Sequence, residues 1–546
     1  MTMRAGNIAS YLELRAAANP RGRAVVAWER GNWRHLTFRE FHEESDALAR
    51  GLARLGIGRG TRVILMVPPS LDFFALVFAL FKLGAVLVLI DPGIGRRSLL
   101  RCLEEVRAEA FIGVPAAHLA RAFFPSPFRT VRINVTVGPK LLWGGPSLAS
   151  LRDPGPFEMA ETSPDELAAI LFTSGATGVP KGAMYTHGIF DAQVRLLQGT
   201  YGIEPGEVDL STFPPFALFA PALGITSVIP DMDARHPAKA DPVKLAHAIF
   251  TQGCTSMFGS PALLDNLSRW AEKQSVTFSS LRRVLSAGAP VRFDILERMS
   301  RCIPKDAQVF TPFGATEALP VASIGSDEVL AETQARTRSG AGICVGRPVE
   351  GVTVRIVRLT DEPIEEWSED LVLPDGEIGE ITVKGPVVTR AYWAREDQTR
   401  RAKIREGDEV VHRMGDVGYF DEKGRLWMCG RKAQRVRAAE GPIFPVPVEQ
   451  IFNQHPAVRR TALVGVGEPG AQIPVLVVEP EADARIRPDV LVAELLALGE
   501  KFETSREVRH ILVHPKPFPV DVRHNAKIHR EVLASWAAKR LSERKS

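Results

Sequence analysis

Short apolar runs at 62–67, 85–90, 168–173, 255–259 and 283–287 recur along the first part of the chain, each ending in glycine, serine or proline. Bounded runs of this length predict buried strands, and the amphipathic stretches between them predict helices, one from about Leu71 and one after Arg96. The alternation is that of an α/β sheet, whose ligands sit in loops at the carboxyl ends of the strands. Residues 73–81 and 83–90 together approach the length of a membrane span. Lys82 interrupts them, Pro68 and Pro69 precede them and Asp91-Pro92-Gly93 ends them, so the pattern predicts a helix and then a buried strand. After about Val345 short strands follow, with turns at Asp375-Gly376 and Glu422-Lys423-Gly424, which predicts a β-rich subdomain. A boundary is expected near Gly430-Arg431, leaving a small α/β pattern with strands at 460–466 and 475–478 and a helix around 490–498. There is no internal repeat or coiled-coil heptad.

A chain of 546 residues is too long for one ordinary core. Its 68 basic and 64 acidic residues leave a net charge of +4, which gives no case for nucleic-acid binding and favours a small-molecule substrate. Cys102, Cys254, Cys302, Cys344 and Cys429 are odd in number, widely spaced and without a C-x-x-C pair, so they read as buried thiols in a reducing cytoplasm. The N-terminal residues have no apolar h-region, which argues against export and for a cytoplasmic protein.

The candidate chemistry begins at Thr173-Ser174-Gly175-Ala176-Thr177-Gly178-Val179-Pro180-Lys181-Gly182. Its glycines let the backbone approach an anion, its hydroxyls add donors, and Lys181 adds charge: a loop for polyphosphate. It is not a Walker A loop, since Lys181 stands between Pro180 and Gly182. At Phe313-Gly314-Ala315-Thr316-Glu317 an acidic residue ending a strand can hold magnesium against phosphate oxygens. His412-Arg413-Met414-Gly415-Asp416-Val417-Gly418-Tyr419 is expected to place Asp416 in a tight turn, where it can accept both hydroxyls of a ribose. Arg431 follows, and Asn525-Ala526-Lys527-Ile528-His529-Arg530 supplies a lysine near the C-terminus.

In this order, with Ser286-Ala287-Gly288-Ala289-Pro290, Gly346-Arg347-Pro348 and Gly430-Arg431-Lys432, these segments resemble the adenylate-forming superfamily of acyl-CoA synthetases, firefly luciferases and nonribosomal-peptide adenylation domains. The resemblance covers nearly the whole chain. It implies an α/β fold with a large N-terminal domain, 1–431, of α/β sheets plus a β-rich subdomain, and a small mobile α+β C-terminal domain, 432–546, hinged near Ala433-Gln434. It also implies ATP and Mg²⁺ as cofactors. Lys527 would bridge the substrate carboxylate and the α-phosphate, while Thr173, Ser174, Gly175, Thr177, Gly178 and Lys181 hold pyrophosphate. Glu317 with Thr316 and Thr173 would position the metal. Gly288, Ala289, Pro290, Phe313 and Gly314 would line the nucleotide, with Asp416 and Arg431 on the ribose.

Within the superfamily the chain departs from typical acyl-CoA synthetases. Ala217 stands where many carry a histidine lining the acyl pocket, Phe313 replaces a tyrosine, Gln434 the hinge acid and Ala526 a glycine. These changes weaken any automatic claim on CoA. The stretch from Ser211 to Asp233, with Thr186-His187 and His524-Asn525-Ala526-Lys527, resembles the OleC-type β-lactone synthetases of bacterial long-chain olefin biosynthesis. That resemblance implies a 2-alkyl-3-hydroxyalkanoic acid whose own hydroxyl attacks the acyl adenylate, closing a β-lactone and releasing AMP. It also implies a thiolase, a dehydrogenase and a β-lactone decarboxylase as pathway partners. Phe213, Phe216, Leu218 and Phe219 would line an apolar pocket, and ordinary core packing explains them nearly as well. His187 is a candidate base by its chemistry, with packing beside the nucleotide as the equal alternative. The alternative activity is that of a fatty acyl-CoA synthetase or fatty acyl-AMP ligase.

Overall fold

The computed structural model describes residues 6–90, 94–141, 143–173, 180–482, 484–520 and 528–545. The α/β pattern of the sequence forms two largely parallel sheets. One runs in the order Ile133–Thr136, Ala110–Gly113, Arg62–Met66, Val86–Ile90, Leu167–Thr173, all parallel, with Lys181–Thr186 added antiparallel at its edge. The other runs Gln308–Phe310, Arg283–Leu285, Ser256–Phe258, Val208–Ser211, Thr226–Ile229, Arg23–Glu29 in parallel, ending in antiparallel Asn32–Thr37. A third sheet, wholly antiparallel, runs Phe313–Ala315, Ala318–Ser323, Ile343–Pro348, Leu426–Arg431, Glu409–Phe420, Gly379–Lys384, Thr353–Val357, with Lys403–Glu406 also on Glu409–Phe420.

The apolar stretch resolves as the sequence indicates. Ser70 caps the helix Leu71–Lys82, its hydroxyl accepting from Phe73 N at 3.2 Å, and the strand Val86–Ile90 follows. The helix is apolar all round because it is buried all round, with Phe78 edge-on to Phe41 of the helix Phe38–Arg54. Among the described residues no helix is long and apolar enough to cross a membrane. All five cysteines are buried and unpaired.

Two boundaries differ from the sequence pattern. The strand Leu167–Thr173 leads into no crossover helix; it is followed by its own antiparallel partner, Thr173 opposite Lys181. Residues 174–179, between these two strands, lie outside the described residues. The antiparallel sheet begins at Phe313 rather than near Val345, since strands of three and six residues split by Thr316-Glu317 are too short to show a period of two.

After Arg431 come a turn, Lys432–Gln434, a small hairpin, and a sheet of Val458–Val466, Ile473–Pro480 and His510–Val513 packed by the helices Pro445–Phe452, Pro488–Gly499 and Arg530–Lys545. Lys527 lies outside the described residues. Its flanks are fixed: Val520 and Ile528 pair as an antiparallel bridge, and Arg530 clamps Glu449 through both guanidinium nitrogens.

Lys82 is buried at the end of its helix and donates to Asp46 Oδ1 at 2.6 Å and to His42 O at 3.0 Å. Removing one partner of a buried ion pair strands the other. Asp46→Ala is expected to cost about 3–5 kcal/mol in chemical denaturation, whereas Lys82→Met combined with Asp46→Leu costs little or nothing. A loss below about 1 kcal/mol for Asp46→Ala would mean that His42 alone satisfies the ammonium.

Candidate active site

The site residues meet along the strand Lys181–Thr186, because a loop of the antiparallel sheet extends the first sheet there. Ala183 bridges Tyr392, Met184 N donates to Ala391 O at 3.2 Å and Trp393 N to Gly182 O at 2.8 Å. From the same strand Tyr185 Oη donates to Thr316 O at 2.5 Å. Thr316 and Glu317 occupy the turn between Phe313–Ala315 and Ala318–Ser323. That turn is tight enough to need Gly314, where a Cβ would lie 2.8 Å from Ala318 O.

Glu317 is fixed from two sides. Tyr392 Oη donates to its Oε1 at 2.7 Å, and Thr389 donates to its backbone oxygen through N at 2.9 Å and Oγ1 at 3.2 Å. Lys181 Nζ stands 4.8 Å from the centroid of the Tyr392 ring, its pKa lowered by burial against the pull of Glu317. A second cation lies nearby. Lys403, 8% exposed, donates to Thr389 Oγ1 at 3.2 Å and has its Nζ 5.8 Å from the same ring centroid. Burial lowers its pKa to about 7, with Glu317 opposing and Lys181 adding to the shift. In the sheet it pairs with His412, a buried ring that donates from Nδ1 to Ala402 O at 3.1 Å and is held neutral by burial and by the Lys403 charge.

Along the same strand Asp416 is buried opposite Arg431, whose Nε lies 3.0 Å from Oδ1. The two expected ribose ligands are therefore one ion pair. Gly288, Ala289 and Pro290 form an exposed to half-buried turn beyond the carboxyl end of Arg283–Leu285, and Phe313 packs half-buried in the core of the antiparallel sheet. Thr173 enters through its backbone, opposite Lys181. Ser174, Gly175, Thr177 and Gly178 lie outside the described residues, as does Lys527. A hard-oxygen donor set fits Mg²⁺, which commonly takes one or two carboxylates and fills its shell with phosphate and water. Among the described residues Glu317 alone supplies such a carboxylate beside Lys181, and no cluster of three acidic, histidine or cysteine side chains forms.

His187 is not part of this group. It starts the helix His187–Tyr201, six residues and roughly 20 Å of strand beyond Lys181. Its ring is 0% exposed, edge-on to Phe81, and accepts at Nδ1 from Ile8 N at 3.2 Å. Burial pushes its pKa down to about 4. A ring so enclosed fits packing better than proton exchange, the two alternatives that the sequence leaves open.

The phenylalanines expected in the acyl pocket do gather. Phe213 and Phe216 lie 5.6 and 5.0 Å from Phe258, and Phe219 bridges Phe216 and Phe190 at 6.2 Å each. They are half-buried against the largest core. Sequence reasoning missed Thr389, Tyr392 and Lys403. Three of the four residues in Lys403-Ile404-Arg405-Glu406 are charged, so nothing local marks Lys403 as buried; only sheet pairing with His412 reveals it.

A model of the family described as AMP-binding enzyme matches residues 12–393. The chain belongs to that family. It is 52% identical over 521 residues to a protein of Stenotrophomonas maltophilia named olefin beta-lactone synthetase, covering 93% of this chain and 92% of that one. A protein of the same name from Xanthomonas campestris pv. campestris is 52% identical over 513 residues, covering 92% and 91%. Among solved structures, the amide bond synthetase McbA of Marinactinospora thermotolerans superposes with a TM-score of 0.79 over 97% of this chain and 99% of its own, at 24% identity, which establishes the common fold.

Lys403 gives the site a checkable signature. Its pKa is lower folded than unfolded, so its cost to stability is full below about pH 7 and shrinks as pH rises toward the ordinary lysine value. Lys403→Met is expected to raise the thermal midpoint of the ligand-free protein, more at pH 6 than at pH 9. An equal shift at both pH values would mean that the lysine is charged throughout.

Proposed function

We propose that this enzyme is an olefin β-lactone synthetase: it adenylates a long-chain 2-alkyl-3-hydroxyalkanoic acid with ATP and closes the acyl adenylate to a β-lactone. What carries this reading is the 52% identity over nine-tenths of the chain to proteins so named. The Lys181, Glu317, Asp416 and Arg431 constellation supplies the matching chemistry.

In the first step a carboxylate oxygen attacks the α-phosphorus and pyrophosphate leaves, so negative charge gathers on the phosphates. Lys181, with the loop before it, holds the departing pyrophosphate, and Lys403 deepens the positive potential behind Tyr392. Glu317 and Thr173 would hold Mg²⁺, which neutralises phosphate charge when bound. Asp416, itself held by Arg431, takes the ribose. Lys527 arrives from the C-terminal domain, which the turn Lys432–Gln434 joins to the rest. Lys432 is tied on the near side to Glu380 at 2.8 Å, and across the turn Arg435 reaches Asp361 at 2.8 Å, so rotation about the turn must break the latter pair.

In the second step the 3-hydroxyl oxygen attacks the acyl carbon, the bond to AMP breaks and the hydroxyl proton is lost to a base. The balance is acid plus ATP to lactone, AMP and pyrophosphate. An internal nucleophile held in line gains an effective molarity on the order of 10⁵ M or more, which offsets the strain of a four-membered ring. The thiolase, dehydrogenase and β-lactone decarboxylase of the olefin pathway, and a cytoplasmic location, belong to the same reading.

Incubation with ATP, Mg²⁺ and a 2-alkyl-3-hydroxyalkanoic acid is expected to give β-lactone and AMP without CoA, as read by NMR. A product formed only with CoA, and as a thioester, would assign a ligase instead. Lys527→Ala is expected to slow ATP–pyrophosphate exchange by roughly 10²–10³, and unchanged exchange would remove that lysine from the adenylation step.

A further inference from the structure

One end of the first sheet combines basic residues with exposed apolar side chains. Residues 110–152 contain no aspartate or glutamate but include Arg121, Arg129, Arg132 and Lys140. Within this stretch the helix Pro115–Phe123 turns its apolar face outward: Leu119 is 46% and Phe123 78% exposed, and Phe124 follows. Single exposed hydrophobics are ordinary, but neighbours one helical turn apart, rimmed mostly by positive charge, are not. The rim is close. Arg96 lies 5.8 Å from the centroid of the Phe124 ring, and Arg121 and Arg129 flank a shallow groove with Pro125 and Phe128. The neighbouring carboxylates are few: Glu104 accepts from Ser126, Glu105 pairs with Arg395 and Glu109 with Arg62.

We propose that this face docks on an anionic lipid bilayer, with Leu119, Phe123 and Phe124 entering the boundary of the acyl region and Arg96, Arg121 and Arg129 meeting lipid phosphates. The charge pattern selects this occupant. A second copy related by a two-fold axis would set the same arginines against one another. A protein groove suits recessed apolar residues, whereas Phe123 protrudes, as a side chain entering a soft layer must. The surface stands independently of the reading of the site; that reading only gives it a use, since a dialkyl acid partitions into membranes.

The test is co-sedimentation of the full chain with vesicles of phosphatidylcholine, with and without about 30% phosphatidylglycerol, at low and high salt. The expected result is binding to the anionic vesicles that weakens with salt and falls at least about tenfold in Phe123→Asp and in Arg129→Glu. ATP–pyrophosphate exchange on a water-soluble short acid should stay unchanged in both variants. Absence of vesicle binding by the unaltered protein, or equal binding by Phe123→Asp, would overturn the proposal. So would self-association in sedimentation velocity that Phe123→Asp abolishes, which would assign the face to a second copy.

Discussion

Everything at the site depends on one seam, where the edge strand Lys181–Thr186 of a parallel sheet is continued by the loop carrying Thr389 and Tyr392. Without it Lys181 and the acidic turn would belong to separate layers. With it, Tyr392 stands between them, its hydroxyl on Glu317 and its ring facing Lys181 and Lys403. The aromatic ring does two jobs. Its hydroxyl orients the carboxylate, and its face offers the two ammonium groups a partner where no carboxylate forms a salt bridge with either among the described residues. Two lysines and one glutamate leave this seam with an excess of positive charge in a half-dry setting. That imbalance is costly in the free protein, and a bound anion would relieve it.

Much of the architecture is readable from local pattern. The buried strands at 62–67 and 85–90 and the helix between them follow from apolar runs cut by proline, glycine and a single lysine, since a strand buried on both faces has no other way to read. The same reasoning placed the strands and helix of the C-terminal unit. What pattern cannot supply is which strands pair. The antiparallel return of Lys181–Thr186 on Leu167–Thr173, the start of the antiparallel sheet at Phe313 and the pairing of Lys403 with His412 all join segments near in sequence, yet no local period announces them. A lysine in a mostly charged strand looks exposed until the facing layer is known.

The candidate residues divide in the same way. Motif residues such as Glu317, Asp416 and Arg431 are legible because each sits in a short glycine-bearing signature, although Asp416, which the sequence suggests for a tight turn, lies within the strand Glu409–Phe420, and the fold brings Asp416 and Arg431 into one ion pair. His187 was legible only as a residue type. Its surroundings, a backbone amide from Ile8 and the Phe81 ring, come from the far N-terminal part of the chain, which no local pattern around His187 shows. The supporting residues behind Glu317 carry no local signal, although they determine where its carboxylate points.

The most direct test of the account asks which oxygen leaves. With substrate labelled by ¹⁸O in both carboxylate positions, activation as an acyl adenylate predicts one label in the phosphate of AMP and one in the lactone carbonyl. Both labels retained in the lactone, with none in AMP, would mean that the hydroxyl rather than the carboxylate is activated, and would contradict the mechanism built on this site.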